Sequence, residues 1–140
     1  MSKKTVIIYF SQSGNTEKLV KLIHGHIGGA TASLDEKGNI ANSSDTPFDL
    51  GNYDTVLIGT PNWAATASTP VKTFLSANDL SGKDFAPVCT HGMGGEQNVT
   101  SDMVALCPNS KILPSLAVKG AEVDASGSKV IDWLQVIGLK

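Results

Sequence analysis

Residues 5–16 read Thr5-Val6-Ile7-Ile8-Tyr9-Phe10-Ser11-Gln12-Ser13-Gly14-Asn15-Thr16. Val6 to Phe10 form a short apolar run rich in β-branched and aromatic side chains. A run of that length and character fits a strand buried on both faces, as parallel strands are. The run then breaks into hydroxyls, amides and one glycine. A helical pattern follows, with Leu19, Leu22, Ile23 and Ile27 on one face and Glu17, Lys18 and Lys21 off it. Asn15 or Thr16 is expected to cap this helix and Gly28-Gly29 to end it. A strand feeding a small-residue loop and a helix N-terminus presents backbone N–H groups at the positive end of a helix dipole, which is an anion site. Ser11, Ser13 and Thr16 add three hydroxyls and the loop holds no lysine, so a phosphate there would be held by hydrogen bonds alone. The lysine of a nucleotide-hydrolysing P-loop and the three spaced glycines of a dinucleotide fingerprint are both missing.

The same strand-and-helix rhythm continues outward. Ala30 to Leu34 reads as a second strand. Residues 35–54 carry Asp35, Glu36, Asp45, Asp49 and Asp54 against Lys37 alone. With their Gly, Asn, Ser and Pro they read as a long connection with little regular structure. Tyr53 to Thr60 forms a third strand, stopping at the loop Pro61–Ser68, after which Thr69-Pro70 opens a helix with Val71, Phe74 and Leu75 inward. Asp84 to His91 is a fourth strand, in which Pro87 is expected at the start or at a bulge. A helix is expected from about Gln97 to Leu106. Lys111 to Val118 is the last strand, placed at a sheet edge by Pro114. Ser126 or Ser128 caps a final helix that turns Val130, Ile131, Leu134 and Ile137 inward. Five strands alternating with helices predict an α/β doubly wound parallel sheet with helices on both faces. The strand order 2-1-3-4-5 buries the first strand and leaves the fifth at an edge. The chain, residues 1–140, reads as one domain.

Composition narrows the function classes. Hydrophobic residues at 41% and charged residues at 17% are those of an ordinary globular chain, and a net charge of −2 argues against a nucleic-acid face. No apolar run is long enough for a membrane span. Lys3 and Lys4 precede a run too short for a secretory leader, so the expected compartment is the cytoplasm. Cys89 and Cys107 form neither a Cys-x-x-Cys pair nor a metal cluster and read as buried reduced thiols. His24 and His26, two apart on a helix, point to different faces. No metal site and no catalytic acid, nucleophile or triad is predicted.

In the 2-1-3-4-5 order the switch point lies between the first and third strands, and ligands bind beyond the carboxyl ends there. Three loops meet at that rim: Ser11–Thr16, Pro61–Ser68 and Thr90–Gly95. Ser-x-Ser-Gly-Asn-Thr after the first strand resembles the phosphate loop of the flavodoxins. Ile-Gly-Thr-Pro-Asn-Trp, Asp-Leu-Ser-Gly-Lys and Cys-Thr-His-Gly-Met-Gly-Gly extend the resemblance over nearly the whole chain. It is to the short-chain type, without an insertion splitting the fifth strand.

The resemblance implies FMN as cofactor. Ser11, Gln12, Ser13, Gly14, Asn15 and Thr16 would bind its phosphate. Thr60, Pro61, Asn62, Trp63 and Ala64 would hold the ring from one side, with Trp63 as the stacking face. Thr90, His91, Gly92, Met93, Gly94 and Gly95 would approach its edge through backbone N–H groups. Many flavodoxins stack a tyrosine from this last loop on the ring, whereas His91 and Met93 are the large residues here. His91 is the one residue of the three loops able to carry a positive charge, which histidine does mainly below neutral pH. The implied activity is electron transfer or that of a small flavin oxidoreductase, more an electron carrier than an enzyme with its own substrate. Its partners would be a reductase and an acceptor protein, with neither nucleic acid nor membrane. The alternative is a flavodoxin-fold binding or regulatory module without bound flavin.

Overall fold

The computed structural model describes residues 4–45, 47–92 and 94–140. Strand β1 (Thr5–Tyr9) buries Val6, Ile7 and Ile8 completely. It lies between two parallel partners, β2 (Ala30–Leu34) and β4 (Thr55–Trp63). Successive side chains of a strand point to opposite faces, and each face here meets apolar cover. Val6 and Ile8 pack with Val71, Phe74 and Leu75 of α2 (Thr69–Ala77) and Val99 and Met103 of α3 (Val99–Ala105). Ile7 packs with Leu19, Val20 and Ile23 of α1 (Asn15–Ile27) and Val130, Trp133 and Leu134 of α4 (Gly127–Val136). Burying each such side chain contributes about 1.5–3 kcal/mol, which is why β1 carries no polar residue between Val6 and Ile8.

With β3 (Ile40–Ser43), β6 (Asp84–His91), β7 (Lys111–Ile112) and β8 (Leu116–Lys119), the sheet order is β3-β2-β1-β4-β6-β7, with β8 pairing β6 further along the same edge. Counting parallel strands alone, this is the expected 2-1-3-4-5 order, doubly wound with helices on both faces. Two features of the connections were not expected. The connection after β2 holds β3 (Ile40–Ser43), an antiparallel edge strand against β2, and a 3₁₀ turn, Leu50–Asn52. The turn between β2 and β3 is set by the Asp35 carboxylate, which accepts the N–H groups of Lys37 and Asn39. Ile40, Phe48 and Leu50 then pack on the core where a crossover helix would otherwise sit. Acidic and turn-forming neighbours hid these three apolar residues from a reading that sought helical period. The second feature is at β4, which does not stop at Pro61 but runs to Trp63. It turns back through Ala64 and Ala65 into β5 (Thr66–Ala67).

Pro87 sits at neither the start nor a bulge of β6 (Asp84–His91); it pairs in unbroken register with Ile58. The explanation lies in the neighbouring edge. The last strand is split into β7 (Lys111–Ile112) and β8 (Leu116–Lys119), and the break at 113–115 contains Pro114. Lys111 and Leu113 donate to the carbonyls of Lys83 and Phe85. Alternation along the strand turns the backbone of residue 87 to the same edge, where the break asks no N–H of it. Trp133 Nε1–H donates to the Pro114 carbonyl left over by the break, at 2.8 Å. Among the described residues no helix is long and apolar enough to cross a membrane.

Candidate functional site

The first rim loop is built by one serine. Ser11 Oγ accepts the N–H of Gly14 and the N–H of Glu17, both at 3.2 Å. The cap of α1 is therefore not Asn15 or Thr16. The capping position is Gly14, at φ 97°, a left-handed conformation that an L side chain resists. With Ser11 on Glu17 N–H and Gly14 carbonyl on Lys18 N–H, the N–H groups of Ser13, Asn15 and Thr16 donate to nothing among the described residues. Thr16 turns inward instead, and its Oγ1 lies 2.7 Å from Thr90 Oγ1. Two hydroxyls bring two protons and their mutual bond uses one, which leaves the other able to donate.

The second loop is the β4–β5 hairpin. Asn62 organises it: its Oδ1 accepts the Ala65 N–H at 2.9 Å, while its Nδ2 donates to the Gly95 carbonyl at 3.0 Å and Gln97 Oε1 at 2.9 Å. Asn98 N–H donates back to the Ala65 carbonyl at 2.9 Å. The second and third loops thus hold each other. Trp63 meets Phe10 edge to face, with ring centroids 5.5 Å apart and planes at 86°. That contact fixes its indole plane at the rim. Thr60 does not reach the rim. It is fully buried, and its Oγ1 accepts the Ser68 N–H and donates to Ser68 Oγ, closing the hairpin onto the start of α2.

Between these loops opens a cleft of about 370 Å³, lined by Ser13, Asn15, Pro61, Asn62, Trp63, Thr90, His91 and Gly92. Its size lies in the ordinary range for small-ligand sites. Of the other residues singled out from the sequence, Ser11 and Gly14 shape the loop and Thr16 lies beneath it. Gln12 lines a second cleft of about 330 Å³ on the α2 side of Trp63, with Phe10, Glu36, Thr69 and Pro70. Ala64, Gly94 and Gly95 do not line the main cleft, and Met93 lies outside the described residues. Sequence reading missed Lys119, Gly120 and Ala121, which complete the cleft wall. They stand where β8 ends and a 3₁₀ turn, Gly120–Ala125, begins. The signal was available: β8 is also parallel, so its carboxyl end reaches the same rim as the other three. His91 is consequently not the one cationic candidate at the rim. Lys119 is its register partner on the next strand.

No Asp or Glu lines the cleft, and His91 Nδ1 is buried with no hydrogen-bond partner among the described residues. The thiols take no part in it. Burial first, and the Glu96 carboxylate second, push the Cys89 thiol up to about 12, and burial pushes Cys107 up to about 11. Both stay protonated and unpaired. Among the described residues no group of three His, Cys, Asp or Glu is placed to hold a metal ion.

A family model described as flavodoxin matches residues 30–137. The chain belongs to the flavodoxin family. The match starts after the Ser11–Thr16 loop, so membership rests on the rest of the fold and not on that loop. No curated protein matches the chain. Among solved structures, a candidate flavoprotein from Bacteroides uniformis superposes with a TM-score of 0.77 at 23% identity, over 96% of this chain and 99% of that one. A Lactobacillus acidophilus flavoprotein solved in complex with FMN gives a TM-score of 0.63 at 23% identity, over 89% and 98% of the two chains. A Fusobacterium nucleatum flavodoxin bound to flavin mononucleotide gives 0.71 at 12% identity, over 96% of each. At these identities the likeness is one of fold.

Proposed function

We propose that this flavodoxin binds FMN in the cleft and works as an electron carrier or small flavin oxidoreductase. The observation that carries the reading is the cleft itself: Ser13 and Asn15, whose N–H groups have no partner among the described residues, at one end, and Trp63 on the wall beyond. The donor set fits a phosphate. It offers only N–H and O–H groups, no carboxylate lines it, and the α1 dipole points its positive end at it. The FMN-bound relatives above support the same choice.

When bound, FMN supplies one- and two-electron redox chemistry, and the protein positions it and tunes its potential. The work left to this chain is binding, orientation and exclusion of water. Ser11 holds the first loop open as an N–H cradle. Trp63 offers an aromatic plane already locked by Phe10. The buried His91 Nδ1 is a polar atom in want of a partner, and a bound ligand would provide one. The partners in this reading are a reductase and an acceptor protein. Two buried, unpaired thiols agree with a reducing, cytoplasmic setting.

The test is a titration of the apoprotein with FMN and with riboflavin, followed by flavin fluorescence. Two or three charge-assisted hydrogen bonds to the phosphate are worth about 1.5–3 kcal/mol each. FMN is therefore expected to bind at least about 100-fold more tightly than riboflavin. Equal affinity for the two, or no binding of either, would overturn the assignment and leave a fold used as a binding module without flavin.

A further inference from the structure

Ser11–Thr16 contains no cationic side chain, yet a phosphate monoester carries nearly two negative charges at neutral pH. The structure brings a cation to that loop from the far end of the sequence. Lys119 closes β8, and the next residue, Gly120, lies against α1 so closely that an added Cβ would stand 2.5 Å from Asn15 Nδ2. Asn15 is the first residue of α1, and both Asn15 and Lys119 line the main cleft. Lys119 is half-buried, and its ammonium makes no ion pair or hydrogen bond among the described residues. The acids nearest in sequence do not take it up: Glu122 makes no ion pair with it, and Asp124 faces Lys18 at 3.9 Å. At the other side of the loop, Glu17 faces Lys21 at 3.7 Å, so its carboxylate is matched. Among the described residues, Lys119 is thus the one lysine or arginine lining a cleft that no carboxylate lines.

Resting on the FMN reading, we infer that Lys119 is the countercharge of the phosphate and a determinant of FMN over unphosphorylated flavin. The geometry separates two tasks. Backbone N–H groups of the first loop fix where the phosphate sits, because they are held by Ser11 and the helix. Lys119 supplies charge from a flexible stem, as a point source that needs no fixed angle. An ammonium in a partly desolvated cleft attracts a dianion more strongly than one in bulk water, and salt screens it less. His91, opposite Lys119 in register, also lines the cleft, and its buried Nδ1 has no partner among the described residues, so polar groups from two adjacent strands meet at this corner.

The experiment compares wild type with Lys119→Met and Lys119→Arg, each as apoprotein, titrated with FMN and riboflavin at low and at high salt. Loss of one charge-assisted contact predicts an FMN affinity roughly 10- to 100-fold lower in Lys119→Met, with riboflavin affinity unchanged. Lys119→Arg should restore most of the FMN affinity, and wild type should lose FMN more steeply with salt than Lys119→Met. If Lys119→Met weakens FMN and riboflavin by the same factor, the side chain acts on the ring or on packing and the inference is wrong. It is equally wrong if neither affinity changes. Should wild type itself fail to prefer FMN, the FMN reading fails first and the countercharge falls with it, so the two failures are told apart by the wild-type arm. A melting curve of Lys119→Met within a degree or two of wild type excludes misfolding as the cause.

Discussion

Two turns on the same rim are built in opposite ways. In Ser11–Thr16 the left-handed position is occupied by Gly14, around whose missing Cβ nothing lies within 4 Å. The loop's internal bonds run between neighbours, from Ser11 to Gly14 and Glu17. In the β4–β5 hairpin the left-handed positions fall on Ala64 (φ 53°) and Ala65 (φ 76°), and the facing loop adds Gln97 (φ 47°). A two-residue turn of this kind asks for Asn-Gly or Gly-Gly. Alanine there carries roughly 1–2 kcal/mol of strain per residue. The hairpin is held by Asn62, whose amide group bridges to Gly95 and Gln97, more than thirty residues away. The first loop therefore assembles itself once β1 and α1 form. The second exists only when the loop at 95–98 is docked. Strain held by tertiary contacts clusters at functional sites, and here it lies beside Trp63.

Asn62→Ala attacks the contrast most strongly. It removes three hydrogen bonds and leaves the strain of Ala64 and Ala65 unopposed, so the apoprotein should lose about 2–4 kcal/mol of stability. Ser11→Ala, which removes two local bonds, should lose only about 1–2 kcal/mol. Urea unfolding of the two variants measures both. A loss from Asn62→Ala no greater than that from Ser11→Ala would mean the hairpin is not held from outside.

Trp63→Ala tests what the strained hairpin presents. It should weaken FMN binding by about 1–3 kcal/mol, the range of aromatic stacking on planar bases. FMN should quench Trp63 emission and affect Trp133 less, since the latter is buried between α4 and Pro114. Unchanged affinity in Trp63→Ala would reassign the indole to packing against Phe10.

The same contrast explains which parts were legible in the sequence. β1, β2, α2 and β6 could be read to the residue or nearly so, because an apolar run or a Thr-Pro start encodes each locally. The position of the first loop between β1 and α1 was legible for the same reason, although its cap fell on Gly14 and not on Asn15 or Thr16. β3 was not, because Ile40 pairs with Leu34 across a turn that composition marks only as polar. The hairpin was not, because its turn residues contradict turn preference and tertiary bonds overrule them. Pro87 was misplaced because what tolerates it is a break in another strand. Lys119 escaped notice because nothing local marks it: it reaches the cleft at the carboxyl end of β8, a place that only the strand order reveals. Local signals reveal self-assembling pieces, and pieces that borrow their shape from a neighbour need the neighbour.

The smallest effect is the sharpest test of that distinction. Ala65 sits at φ 76°, where glycine has no steric penalty and alanine has about 1–2 kcal/mol. Glycine raises the entropy of the unfolded chain, which takes back roughly 0.4–1 kcal/mol. The difference predicts that Ala65→Gly stabilises the apoprotein by about 0.5–1 kcal/mol. The reverse exchange at the self-built loop, Gly14→Ala, should destabilise it by a similar or larger amount, although its Cβ meets no atom. Ala77→Gly at the end of α2 controls for the generic cost of glycine, and there a loss of up to about 1 kcal/mol is expected. Three urea titrations thus carry three signs: a gain at 65 and losses at 14 and 77. A loss at Ala65→Gly equal to that at Ala77→Gly would show that the hairpin carries no strain, and the contrast between the two turns would collapse. A gain in stability accompanied by weaker FMN binding would show instead that the strained turn is what holds Trp63 in place.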